Sequence, residues 1–162
     1  QMCIRDRSKT NLSVIETVIK SNNKRSDLLL KRINSILNKK IKNKKITFLG
    51  VTFKANTDDM RDSSSLKMIP ALSKKGSIIR YFDPTGYKKE FKRYKNVFNS
   101  KTIKEAVEDS DLVIIHTEWN DFKLLNFKKL VKKNNFKVFD MRNLYSPLQM
   151  KKLNIKYFGI GR

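Results

Sequence analysis

Six short apolar runs punctuate the chain: ITFL at 46–49, SIIRYF at 77–82, NVF at 96–98, DLVIIH at 111–116, KVFD at 137–140 and KYFGI at 156–160. Most are separated by amphipathic stretches, at 64–75, 86–93, 101–108, 124–133 and 146–152, in which apolar residues recur at helical spacing. A strand apolar on both faces has to be covered on both, and a helix after each strand supplies that cover. With right-handed crossovers, the pattern predicts an α/β fold, a Rossmann-like doubly wound parallel sheet, over residues 44–162.

A different pattern precedes it. From Asn11 to Asn38 the residues Leu12, Ile15, Val18, Ile19, Leu29, Ile33, Ile36 and Leu37 follow helical spacing, interrupted by a polar patch at 20–27. This predicts a long helical segment over 11–43, as one helix or two joined at SNNKRS, closed by the linker KKIKNKK. Glu16, Val18 and Ile19 read as core or dimer contacts. Residues 1–10, QMCIRDRSKT, match neither period and read as a ragged or non-native start, which leaves Cys3 outside any chemistry.

A length of 162 residues with 39% apolar content is enough for one core. No run approaches the roughly 18 apolar residues that a membrane span needs, and no apolar secretory segment opens the chain. One cysteine makes neither a disulfide framework nor a thiolate metal site, so the expected compartment is the cytoplasm. Thirty-seven Lys and Arg against 15 Asp and Glu leave a formal charge of +22. Such an excess fits a nucleic-acid binder or an anionic ligand. However, the lysines are spread over surface stretches at 39–45, 88–95 and 128–137, with no Arg-rich helix, zinc spacing or RNA-binding aromatic signature.

In doubly wound sheets, ligands bind beyond the carboxyl ends of the strands. Three polar groups fall there: Gly50 to Ser63 after the first run, Thr117-Glu118-Trp119 after the fourth, and Asp140-Met141-Arg142-Asn143 after the fifth. A crevice that collects Lys54, Arg61 and Arg142 beside a helix start would bind a phosphate or diphosphate. Ser63 is the expected N-cap of that helix. Asp58, Asp59 and Asp62 are expected to pair with and orient these cations, rather than to hold a metal or move protons. His116, without a second His or Cys nearby, reads as structural. Trp119 fits a core or lid position as well as the crevice, with Glu118 beside it, and Asp140 either orients Arg142 or caps a strand end. No GxGxxG follows the first run, so a dinucleotide is not expected to be held here in the usual way.

The segments "FLGVTFKANTDDMRDSSSL", "HTEW", "DMRNLY" and "YFGIGR" resemble the C-terminal domain of the UDP-glucose/GDP-mannose dehydrogenase family, over about residues 11–162. The resemblance implies NAD-dependent oxidation of a nucleotide sugar at C6, twice, through a cysteine-bound intermediate, in an enzyme that dimerises through its central helices. It implies that Phe53, Lys54 and Arg142 contact the nucleotide sugar and that Arg61 reaches NAD held by an N-terminal domain. The motif "FKANTDDMRDS" favours UDP-glucose over GDP-mannose or UDP-N-acetyl sugars. Two departures stand out. The family's Gly-Gly-Ser-Cys-type stretch is absent, so the chain is expected to be a fragment that binds substrate without catalysing. Ser64 occupies a position where the family often has Pro, an expected mild stability change. A nucleic-acid module would leave the acidic loop unexplained. A receiver-like domain would need an acidic pocket that Asp83-Pro84 supplies poorly.

Overall fold

In the computed structural model, which describes residues 13–161, the chain begins with one continuous helix, α1 (Ser13–Ile36). The polar patch does not break it. Cys3 and the rest of residues 1–12 lie outside the described residues, as do the side chains of Glu16, Val18 and Ile19.

Six strands follow: β1 (Lys45–Leu49), β2 (Ile78–Phe82), β3 (Val97–Asn99), β4 (Leu112–Ile115), β5 (Lys137–Asp140) and β6 (Lys156–Gly159). Every pairing is parallel, in the order β3-β2-β1-β4-β5-β6. The helices between them are α2 (Ser65–Lys74), α3 (Ile103–Val107), α4 (Phe127–Leu130) and α5 (Pro147–Lys152). The doubly wound sheet is as the apolar runs predict.

Burial explains the composition of each strand. β4 is buried along its whole length and β1 along all but its first residue, as central strands covered on both faces must be. β2 alternates, and edge strand β3 leaves Phe98 half exposed. One face packs Phe48, Ile114 and Phe139 against Ile33 and Ile36 of α1 and Met68, Ile69 and Leu72 of α2. The other packs Leu49, Val113, Ile115 and Val138 against Ala106, Val107, Phe122, Phe127 and Met150. Each of these side chains larger than Ala106 contributes about 1.5–3 kcal/mol by leaving water. α1 is tied to the sheet by Arg32, whose Nη2 donates to the Gly159 carbonyl at 3.0 Å and whose guanidinium lies 5.9 Å from the Phe139 ring centre. Thr47, the polar residue inside β1, is satisfied by the Ala106 carbonyl at 2.6 Å and the Ser110 hydroxyl. Two helix expectations shrink: 86–93 holds a single 3₁₀ turn, Lys89–Phe91, and 124–133 holds four helical residues.

This strand order fixes where ligands can sit. The chain leaves β1 toward β2 and β3, then returns to β4 on the other side, so the connections diverge between the carboxyl ends of β1 and β4. That divergence opens the crevice used for binding in such sheets.

Candidate functional site

The floor of the crevice is the turn after β1. Gly50 has φ of 77°, and a Cβ there would lie 2.5 Å from that of Thr117, so β1 and β4 approach too closely for any side chain. The Gly50 N–H donates to the Phe82 carbonyl at 2.8 Å. The next residues, Val51 and Thr52, are buried and bonded on all sides. Asp83, at the end of β2, accepts from the Val51 N–H at 2.8 Å and the Thr52 N–H at 3.3 Å. Its other oxygen accepts from the Thr85 N–H and hydroxyl. The Ser63 and Ser65 hydroxyls both donate to the Val51 carbonyl at 2.6 Å, and the Thr117 hydroxyl donates to the Thr52 carbonyl at 2.9 Å.

The Thr117 bond settles the tautomer of His116. Because the Thr117 hydroxyl gives its proton to Thr52, it accepts at 3.0 Å from His116 Nδ1–H. Nε2 is then the acceptor for the Ser64 hydroxyl, 2.8 Å away. The imidazole is fully buried, and desolvation first, with Arg142 adding to it, pushes its pKa down to about 3. A neutral, doubly bonded imidazole is structural here, as its isolation in the sequence implies. Ser64 gives this ring its second bond, a contact Pro could not make. The departure from the family pattern is therefore a working contact.

Arg142 overhangs this floor from the β5 end. Its Nε–H donates to the His116 carbonyl at 2.7 Å, and Nη2 reaches the Phe53 carbonyl at 3.5 Å. Glu118 Oε2 lies 2.8 Å from the same Nε. Nε carries one hydrogen and aims it at His116, so Glu118 Oε2 has a charge partner but no hydrogen-bond donor. Asp140 does not touch the guanidinium. Its carboxylate accepts from the Arg142 and Tyr145 N–H groups and the Tyr157 hydroxyl, which makes it the cap of the β5 turn. Trp119 is buried in the core.

Of the residues singled out in the sequence, Phe53 and Arg142 are brought together, and Lys54, exposed, follows Phe53 in the chain. Phe53 is half exposed, and its N–H donates to the Asp59 carbonyl at 2.9 Å. Arg61 does not join them. It forms a two-pronged pair with Asp59, Nε to Oδ1 at 3.0 Å and Nη2 to Oδ2 at 2.9 Å, with its side chain 89% exposed. The Arg61 bond holds the Asp59 carboxyl below the usual range. So the expected three-cation cluster is one arginine over the crevice, one lysine at its rim and one arginine held outward by an aspartate. The N-cap of α2 is Ser64, without a side-chain capping bond. Ser63, one residue earlier, accepts a 3.3 Å bond from the Ser65 N–H while anchoring Val51. The Ser64–His116–Thr117–Thr52 chain went unread in the sequence, since a 52-residue separation leaves no periodic signal. Among the described residues no cluster of His, Cys, Asp and Glu has the makings of a metal site, and no helix is long and apolar enough to cross a membrane.

Comparison with known proteins agrees with this geometry. Residues 47–147 match the model of the UDP-glucose/GDP-mannose dehydrogenase family, UDP binding domain. The UDP-glucose 6-dehydrogenases of Rickettsia felis and Rhizobium meliloti are 34% and 33% identical over 91% and 94% of this chain. The chain spans about a third of the length of these curated relatives, 34% and 35%. A UDP-glucose dehydrogenase structure from Pyrobaculum islandicum superimposes with a TM-score of 0.77 at 19% identity, over 98% of this chain and 34% of that one. The GDP-mannose dehydrogenase of Pseudomonas aeruginosa gives 0.71, also at 19% identity, over 98% of this chain and 36% of that one. At these identities the structures speak for the fold. The match over 47–147, the relatives along almost the whole chain and a crevice at the β1/β4 divergence converge: the chain belongs to the UDP-glucose/GDP-mannose dehydrogenase family and carries its UDP-binding domain.

Proposed function

We propose that this chain is the nucleotide-sugar-binding portion of an NAD-dependent UDP-glucose 6-dehydrogenase, which oxidises UDP-glucose to UDP-glucuronate in two steps. The observation that carries the reading is Arg142, held over the crevice floor with Nε anchored on His116 and the guanidinium edge turned toward Phe53. In this reading the outer guanidinium donors take an oxygen of the nucleotide sugar. Lys54 adds a mobile charge at the rim, and the exposed Phe53 ring offers an apolar face. Residues 44–162 form the UDP-sugar domain, and residues 11–43 end a central helical region through which the full-length protein dimerises in the cytoplasm.

The chain's own residues do not fit NAD bound in the ordinary Rossmann manner. No glycine-rich turn follows β1, and Asp83, at the strand end that would hold a ribose, has both oxygens engaged by protein donors. NAD is therefore assigned to another part of a longer protein, with the outward Arg61 as this chain's contact to it. Titration calorimetry with UDP-glucose, UDP-N-acetylglucosamine, GDP-mannose and a DNA duplex tests the proposal. UDP-glucose should bind best and resist added salt, whereas a nucleic-acid module would prefer DNA and lose it steeply with salt. A preference for another sugar nucleotide would reassign the substrate within the family.

A further inference from the structure

Four Asp, Lys and His side chains are buried among the described residues: Asp83, Lys88, His116 and Asp140. The site accounts for Asp83, His116 and Asp140. Lys88 is left. Lysines are rarely buried unless paired with a carboxylate. Lys88 is 5% exposed, and its ammonium lies 2.6 Å from the Thr85 hydroxyl, with no described carboxylate at ion-pairing distance.

Hydrogen-bond direction shows where that charge is felt. An ammonium only donates, so the Thr85 oxygen accepts from Lys88. The Thr85 hydroxyl must then give its own proton onward, to Asp83 Oδ1 at 2.5 Å. Asp83 Oδ2 faces the other way, onto the Val51 and Thr52 N–H groups. The chain Lys88–Thr85–Asp83 thus ends on the backbone that leads directly into Phe53 and Lys54. Its fixed end is secured too, because the Lys88 N–H donates to the buried Tyr81 hydroxyl at 2.9 Å.

We infer that Lys88 is a positioning residue for the nucleotide-sugar site, acting through Thr85 and Asp83 on the Val51–Thr52 backbone. The inference rests on the proposed function. Lys88 touches no ligand in this account. Its ammonium holds the Thr85 hydroxyl in one rotamer and balances the buried Asp83 charge, which keeps Asp83 turned to the β1 loop. Without it the loop keeps its fold but samples more orientations, and Phe53 and Lys54 are no longer pre-set for the ligand.

The test compares the 162-residue chain with Lys88→Met, Lys88→Arg, Thr85→Val and the Lys88→Met/Thr85→Val double variant. Two readouts are taken: UDP-glucose affinity, and the amide NMR signals of Val51 and Thr52 without ligand. Loss of one link in the chain should weaken binding about five- to tenfold, the order of one hydrogen bond. The double variant should bind no worse than either single one, Lys88→Arg should recover most of the affinity, and the two amide signals should move in both single variants. Wild-type affinity in Lys88→Met with unmoved amide signals overturns the inference, as do losses that multiply in the double variant. If Lys88→Met does not fold, Thr85→Val decides by the same readouts. A wild-type chain that binds no UDP-glucose overturns the function instead, while the ligand-free amide signals still report on the Lys88 chain.

Discussion

His116 makes acid sensitivity a quantitative test of the crevice floor. It is the single histidine of the chain, so no other side chain has its ordinary pKa between pH 5 and 7.5. In the folded protein its pKa is about 3, against 6.5 when free, because burial disfavours the imidazolium. The unfolded chain therefore takes up the proton first. Stability from the neutral ring is complete above pH 6.5 and is lost as the pH falls from there toward 3. At pH 5 the unfolded imidazole is protonated by about 30 to 1 while the folded one stays neutral, a cost of roughly 2 kcal/mol relative to pH 7.5. That figure hardly depends on the folded value, provided it lies well below 5. Urea unfolding followed by Trp119 fluorescence at both pH values measures it. His116→Gln should lower stability at pH 7.5, yet remove most of the difference between the two pH values. Equal wild-type stability at both, or an undiminished difference in His116→Gln, would refute a buried neutral imidazole.

Other substitutions examine the rest of the site. Lys54→Ala should weaken UDP-glucose binding by roughly 1.5–3 kcal/mol, the range for a hydrogen bond to a charged group, with little change in Tm; calorimetry and a melting curve check both. Arg142→Ala should weaken UDP-glucose binding in this chain and in a full-length family enzyme alike. Arg61→Ala should leave sugar affinity nearly intact here, and raise the Michaelis constant for NAD or lower turnover when transferred to the full-length enzyme; equal affinity losses in the two arginine variants would make Arg61 a brace for Asp59 only. Gly50→Ala should cost about 2–5 kcal/mol in urea unfolding, from left-handed backbone plus the clash with Thr117. Purified chain given UDP-glucose and NAD should form no NADH, because no Gly-Gly-Ser-Cys-type stretch is present; steady NADH formation measured at 340 nm would contradict this.

The central strands β1, β4 and β5 were readable because burial on both faces leaves a continuous apolar run, and KVFD coincides with β5. Short helices were readable only in part. At 124–133 the periodicity extends past the helix, since Leu124 is 96% exposed and Lys132 and Lys133 turn away to pair with Glu108 and Asp111. At 86–93 only Phe91 enters the core, edge-on to Tyr81 at 5.3 Å, which is too little to anchor a full helix. Strand-end position pointed to Lys54, Arg61 and Arg142, and Phe53 was added only by the family resemblance. It could not reveal that Asp59 holds Arg61 outward, since Asp58, Asp59 and Asp62 look alike in sequence. Thr85 and Lys88 gave no signal, and Ser64 stood out only as a departure from the family pattern, because hydrogen bonds between loops depend on the folded geometry and carry no period.

The central claim is that the nucleotide sugar sits at the β1/β4 divergence, between the Phe53–Lys54 loop and Arg142. Mapping backbone amide shifts while UDP-glucose is added to the labelled chain tests it directly. The account predicts saturable shifts concentrated at Thr52, Phe53 and Lys54, Glu118, and Met141 to Asn143, with residues 151–156, toward the amino end of β6, unmoved. Shifts scattered over the lysine-rich surface, or centred on Lys151 and Lys156, would contradict it.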